Sequence, residues 1–471
     1  MRTHFIMGDR SPFVSWLPVR LPAMLLWLAA LPAILLWLAA LPAHADAQPQ
    51  PAPSIPPPVW SHGGIPTPQA TALVRALQDA GDRGLNPADY AGPWDMPASQ
   101  GPVSSTYDAA LTQAATRFLH DLHFGRVDPK AAGFDLNVTR PPLDMPLLLS
   151  QLAGTGNTAQ VLASVEPQFI HYRLLEQALH HYRQLESGAI TPTPEELAQA
   201  PFALRVRQIE LTLERWRWLP SFTYPPIIVN IPQFRLFAFR TTQDQRDDIL
   251  QMDVIVGKAY PSTRTPVFMQ DMQYVVFRPY WNVPYSIITK EMIPAIRKNP
   301  DYVSKQRLQY VDGTGQVVPA PPDALAKLAS GTLRLRQMAG PDNSLGLIKF
   351  MLPNRYNVYL HSTPAHSLFS RKVRAFSHGC IRVKDPVQLA ALVLRDAPGN
   401  WTPETIRQAM DSGPDDTVVR LKHPIPVLIL YGTALAQQDG QVLFFNDLYG
   451  HDATLEKLLK LPPVPATQGG R

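Results

Sequence analysis

Apolar side chains recur at three- and four-residue steps through the first half of the chain and at alternate positions through the second, with the change near Pro225. The first spacing lines one face of an α-helix, and the second lines one face of a strand. Leu111, Ala115, Phe118 and Leu122 predict a helix over Tyr107–Leu122, and Tyr172, Leu175, Leu179, Tyr182 and Leu185 predict one running from Gln168. A shorter amphipathic stretch, Ala70–Ala80, is stopped by Gly81-Asp82-Arg83-Gly84. A last helix over Leu204–Trp218 ends in Glu214-Arg215-Trp216-Arg217-Trp218-Leu219-Pro220, whose tryptophans are expected to pack between domains.

Beyond Pro225 the pattern predicts strands at Ile227–Ile231, Phe234–Phe239, Leu250–Val256, Tyr274–Arg278, Gly346–Met351 and Asn357–His361. Between them lies a long polar excursion, Tyr285–Gly331, carrying Lys290, Glu291, Arg297, Lys298 and the turn Asp312-Gly313. Insertions of that length are lids, binding loops or solvated surface. Asp385–Arg395 reads as a helix and Pro424–Thr433 as a buried strand. Asp439-Gly440 then turns into Gln441–Asn446, so the hairpin over 424–446 is expected to extend the sheet. The fold class is α+β, with a helical scaffold over 68–222, a mostly β domain over 223–460 and a tail over 461–471.

The N-terminus changes the picture of where this fold resides. Arg2, Arg10 and Arg20 precede an uninterrupted apolar stretch, Leu21–Ala43, followed by Ala43-His44-Ala45. Basic, then apolar, then small-x-small is the order of a secretory signal, and the stretch is also long enough to anchor in a bilayer. It repeats a decad, LPAMLLWLAA then LPAILLWLAA, so that Pro22, Pro32 and Pro42 recur. Residues 1–45 are therefore a signal or membrane anchor, residues 46–67 a proline-rich tether, and the remainder is expected outside the cytoplasm, in the periplasm. A net charge of +5 with acids and bases interspersed, and no aromatic-basic run or recognition helix, does not suggest nucleic acid.

A single cysteine excludes an internal disulfide and leaves Cys380 as a candidate reactive group. It stands in Ser377-His378-Gly379-Cys380-Ile381-Arg382, and His361 ends the strand upstream. A thiol becomes a nucleophile through a base, a positive environment and nearby backbone donors. His361 is read as the base, and His378 as a group that orients the loop or serves as a second base. Gly379 lets the chain come close enough for the Gly379 and Cys380 amides to face an oxyanion, and Arg382 supplies positive charge. Two alternatives stay open from the residues alone: a buried, inert thiol, and a zinc site made by His361, His378 and Cys380.

The run Tyr359-Leu360-His361-Ser362-Thr363-Pro364, continuing to Arg374-Ala375-Phe376-Ser377-His378-Gly379-Cys380-Ile381-Arg382-Val383, resembles the active-site signature of L,D-transpeptidases with a YkuD-type catalytic domain. Leu213–Pro220, Arg278-Pro279-Tyr280-Trp281-Asn282-Val283-Pro284, Arg336-Gln337 with Gly340, and Asn343-Ser344-Leu345-Gly346 are similar to the larger, YcbB-like branch. So are Gly84-Leu85-Asn86-Pro87 with Tyr90, Pro426–Tyr431, and Asp447-Leu448-Tyr449-Gly450-His451-Asp452. That branch carries a peptidoglycan-binding module before the Glu214–Pro220 segment, whereas here Ser187–Phe202 alone fills the place.

The resemblance implies peptidoglycan stem peptides as donor and acceptor, and cell-wall synthesis proteins as possible partners. It implies 3→3 crosslinks formed through a thioester on Cys380 with loss of D-Ala, and no metal or organic cofactor. It makes Cys380 the nucleophile, His361 the base and then acid, and the Gly379 and Cys380 amides the oxyanion donors. Arg382, Tyr359, Trp281 and Ser377 become substrate contacts, Tyr285–Gly331 a capping loop, and carbapenems covalent traps of the thiol. An L,D-carboxypeptidase, an enzyme attaching proteins to the wall, and a non-catalytic scaffold are the competing expectations.

Overall fold

The computed structural model describes residues 59–95, 106–136, 140–154, 157–241, 249–462 and 464. The expected signal or anchor, most of the tether and most of the tail lie outside them. Among the described residues no helix is long and apolar enough to cross a membrane.

The helical part begins earlier than expected. Residues 59–67 fold: Ser61–His62 pairs with Ile65–Pro66, and the fully buried Trp60 donates its indole N–H to Thr112 Oγ1 at 2.9 Å. The tether therefore ends before Val59 and not at residue 67. Helix α1 (Pro68–Gln78) starts with the Thr67 hydroxyl accepting from the Ala70 amide and with proline at its first position, both favourable where backbone N–H groups lack partners. Helices α2 (Tyr107–Phe124), α3 (Met145–Ala153) and α4 (Thr158–Val165) complete a first core around Leu73, Leu111, Phe118, Leu152 and Leu162.

Helices α5 (Ile170–Ser187) and α6 (Phe202–Arg217) belong to a different core, the one that also holds the sheet. The change in packing thus precedes the change in hydrophobic period, and Ala132, Phe134 and Leu136 already belong to the sheet's core although α3 and α4 follow them. Helix α6 has apolar residues facing the sheet and also buries Glu214, Arg215 and Arg217 almost completely. Glu214 Oε1 accepts from the Arg126 and Val127 amides at 2.5 and 3.0 Å, and its other oxygen meets Arg217 at 3.2 Å. Arg215 reaches Asp452 at 2.6 Å. Trp218 packs edge-on against Phe134, and Trp216 lies tilted against Phe169, contacts within residues 68–222, and both tryptophans belong to the core that also holds the sheet.

The main sheet has nine strands: β1 (Ile227–Asn230), β2 (Arg235–Phe239), β3 (Ile249–Gly257), β4 (Phe268–Phe277), β5 (Ile348–Met351), β6 (Leu360–His361), β7 (Ala375–Ser377), β8 (Ile381–Val383) and β9 (Thr417–Leu430). Their order is β7-β3-β8-β6-β5-β4-β9-β1-β2, and β2 also pairs with β3, so the sheet closes on itself. Closure pairs most strands on both sides, while β7 and the first half of β4 keep a free side among the described residues. The expected hairpin does not extend this sheet. Ala434–Ala436 pairs with Val442–Phe444 as a separate two-stranded ribbon. The chain leaves β9 at Tyr431, where the Gly432 amide donates to Asn230 Oδ1 and the Ala434 amide to Thr212 Oγ1, which hands the ribbon to α6.

The polar excursion is a small folded unit and not a loop. Between β4 and β5, helical turns over Tyr285–Lys298 and Ala324–Ser330 pack on a four-stranded sheet of Trp281–Asn282, Leu308–Val311, Val317–Val318 and Arg334–Gln337. Its own core includes Val283, Ile288, Met292, Ile296, Leu328 and Leu335. The charged residues that made the segment read as polar occupy its outer face.

Candidate active site

Parallel pairing of β6 with β8 sets Leu360 opposite Ile381 and His361 opposite Arg382, and the Ile381 amide donates to the Tyr359 carbonyl at 3.0 Å. Cys380 therefore sits at the mouth of β8 beside Tyr359. The turn before it is held from several directions. Ser377 Oγ donates to the Cys380 carbonyl at 2.6 Å and accepts the Gly379 amide at 3.1 Å, while the Gly379 carbonyl accepts from Thr265 Oγ1 at 2.8 Å. Gly379 has φ +122°, a left-handed conformation that a side chain would strain. The Gly379 amide is thus occupied, and of the two expected oxyanion donors the Cys380 amide is the one without a hydrogen bond among the described residues.

The thiol is half-buried. It donates weakly to the Asn357 carbonyl at 3.6 Å, and Tyr359 offers both its amide and its hydroxyl to the sulfur. Burial pushes the thiol up to about 11, against the pull of those donors and of Arg382. His361 is buried, its Nδ1 donates to the Ser362 carbonyl at 2.5 Å, and the Leu345 carbonyl is a second hydrogen-bond partner of the ring. Burial and the neighbouring Arg382 charge push the imidazole down to about 3. Both groups are neutral at rest. The Tyr359 ring lies 5.8 Å from the His361 ring, so one tyrosine contacts both sulfur and base. Arg382 is held below the usual guanidinium range by burial, and its Nε is buried without a hydrogen-bond partner. The Arg382 charge beside the thiol makes the site electropositive, which suits an anionic group.

The other expected residues fall elsewhere. His378 turns outward, and its Nε2 meets Glu291 Oε1 of the capping unit at 2.6 Å. A second-base role and the three-residue zinc site are both set aside by that orientation; among the described residues no group of three His, Cys, Asp or Glu side chains converges. Ser377 braces the turn with its hydroxyl and has none left for substrate. Trp281 pairs with Gln337 at the neck of the capping unit and packs on that unit's core. Sequence reasoning missed Thr265, Asn357 and Glu291, since each reaches the Cys380 turn from a distant segment. Asn357, with φ +53°, carried a weak signal, because asparagine is enriched in that conformation.

Residues 225–419 match the model of the L,D-transpeptidase catalytic domain, YkuD, and residues 56–179 match a scaffold domain. The chain carries an L,D-transpeptidase catalytic domain behind a scaffold domain. A Haemophilus influenzae protein named "Putative L,D-transpeptidase" is 34% identical over 274 residues, covering 58% of this chain and 53% of the relative. The match thus spans about half the length of that curated relative. The solved structure of Bdellovibrio bacteriovorus Bd1075 aligns over 51% of this chain and 57% of its own at 15% identity, with a TM-score of 0.18. The L,D-transpeptidase domain contains Cys380 and His361, and its matched span includes the whole capping unit.

Proposed function

We propose that this protein is an exported peptidoglycan L,D-transpeptidase of the YcbB-like branch that forms 3→3 crosslinks through a thioester on Cys380. The observation that carries the reading is the half-buried thiol set between the Tyr359 donors and the unpartnered Arg382 Nε. As the donor carbonyl at the L-centre of diaminopimelate approaches, His361 takes the thiol proton and sulfur bonds to carbon. The Cys380 amide and the Tyr359 hydroxyl are the donors nearest the developing charge. Arg382 holds a stem carboxylate. The tetrahedral intermediate expels D-Ala, whose amine takes the proton back from His361. The side-chain amine of a second stem then attacks the thioester, gives a proton to His361 and expels the sulfur, which takes that proton from His361 to restore the thiol.

Proton transfer is coupled to attack because the resting pair is neutral. The capping unit excludes water from the thioester, which favours an amine acceptor over hydrolysis. The test is mass spectrometry of the full chain and Cys380→Ala with disaccharide-tetrapeptide. The expected result is a crosslinked dimer with loss of D-Ala, absent from the variant. Tripeptide alone would assign a carboxypeptidase, and absence of any Cys380-dependent product would overturn the enzymatic reading. Acylation of Cys380 by a carbapenem, seen as an added mass, is the expected companion result.

A further inference from the structure

A groove of about 740 Å³ lies where the scaffold meets the catalytic sheet, away from the capping unit. One wall is Lys130 and Asp135, the second is Phe268–Gln270 at the start of β4, and the third is the loop Pro353–Tyr356. Strand β5 pairs only with Tyr274–Phe277 of β4, and Asp135 bridges Phe268 through the Met269 amide. Between those two pairings the edge of β4 carries no strand among the described residues. Backbone direction alternates along a strand, so the Asp271 amide and carbonyl point the same way as the Met269 amide, into that gap. An unpaired strand edge in a groove is the receptor half of strand addition by an extended peptide.

The gap along β4 leads from the groove toward the catalytic turn. Strands β4, β6 and β8 run in the same direction, since β5 is antiparallel to both β4 and β6 while β6 is parallel to β8. Through those registers Cys380 lies level with Tyr274, at the far end of the gap from Phe268. Two of its walls lead to the nucleophile itself: Tyr356 is followed by Asn357, whose carbonyl accepts from Sγ, and Phe268 follows Thr265, whose hydroxyl holds Gly379. The rim carries one cation paired with Asp135 and one, among the described residues, without an ion pair. Arg355 is 71% exposed and pairs with Asp135 at 3.1 Å, Asp135 also accepts from the Tyr356 hydroxyl at 3.0 Å, and Lys130 is exposed with no ion pair among the described residues.

We infer that this groove is the subsite for the acceptor stem, an extended peptide bearing carboxylates, which pairs with the β4 edge at Asp271 and meets Lys130 and Arg355 with its acidic groups. This rests on the transpeptidase reading. It gives the scaffold a direct part in choosing the second substrate.

The test separates the two half-reactions in the full chain. Donor acylation is followed by intact mass with tetrapeptide stem alone. Transfer is followed with a disaccharide-tripeptide, which carries the amine but has no D-Ala to lose. Two variants are compared with the native chain: Lys130→Glu with Arg355→Ala, which changes only the exposed rim, and Asp271→Pro, which removes the edge amide. The expected result is donor acylation within about twofold of native, with the tripeptide concentration for half-maximal transfer raised about tenfold and hydrolysis increased accordingly. Unchanged tripeptide dependence in the rim variant overturns the inference. Slowed donor acylation with normal transfer assigns the groove to the donor and overturns it as well. If the native chain forms no thioester, the transpeptidase reading falls first and this inference with it.

Discussion

At Cys380 the environment opposes ionisation and yet prepares for it. Burial raises the thiol to about 11 while Tyr359 and Arg382 pull the other way. Against an ordinary value of 9.0 this predicts alkylation by iodoacetamide at pH 7 about a hundredfold slower than for an unhindered thiol of equal nucleophilicity. Tyr359→Phe removes one donor to sulfur and should slow alkylation further, an effect read directly from the mass-shift rate. His361 titrates the other way. Its folded value of about 3 lies below the ordinary 6.5, so the unfolded chain binds this proton first as pH falls. Stability from His361 is therefore present above about pH 6.5 and lost on acidification toward pH 3, and His451, lowered to about 4 mainly by burial, adds to the same slope. Urea midpoints at pH 7 and pH 4.5 should differ by less in His361→Gln than in the native chain.

Among elements, the capping unit makes one charged contact with the nucleophile turn, Glu291 to His378. Both partners are partly exposed, so the pair adds little to global stability. Its expected effect is on the closed position of the unit. Glu291→Gln should leave the melting temperature within about a degree, since exposed pairs are worth roughly 0–1 kcal/mol, while raising the share of thioester lost to water. A product ratio measured by mass spectrometry checks this. Helix α6 is the opposite case, because Glu214 and Arg217 are buried together. Removing one member, as in Arg217→Met, leaves an uncompensated buried charge and should cost about 3–5 kcal/mol in a denaturant titration.

Across the whole molecule, local period revealed more than contact did. Helices α2, α5 and α6 were legible because their apolar positions keep a strict face, and the thiol's role was legible because its neighbours are contiguous in sequence. The first half of β4 was not, since Phe268-Met269-Gln270-Asp271-Met272-Gln273 mixes a buried face with an open edge. Nor was the capping core, whose apolar residues are spread between charges over Val283–Leu335. The buried carboxylates were also hidden. Glu166 and Glu176 lie together near Arg83 and Arg217, and burial and mutual repulsion raise Glu176 well above the carboxylate range. Its raised value means stability present at acid pH and lost as pH rises toward neutrality, so Glu176→Gln should raise the melting temperature at pH 8 and do less at pH 4.5.

The neck of the capping unit has an architectural consequence. Trp281 and Gln337 are direct partners across an antiparallel pair, so the unit leaves and re-enters the catalytic sheet at almost one point. With a private core and adjoining ends, it is a cassette: exchange of residues 283–335 for a two-residue turn, or for the corresponding piece of a relative, is expected to leave the strands of the barrel beneath in place, which the melting temperature of the shortened chain checks. Substrate range and water exclusion can therefore diverge in this protein by replacement of one excisable part, while the sulfur, its tyrosine and its imidazole stay in place.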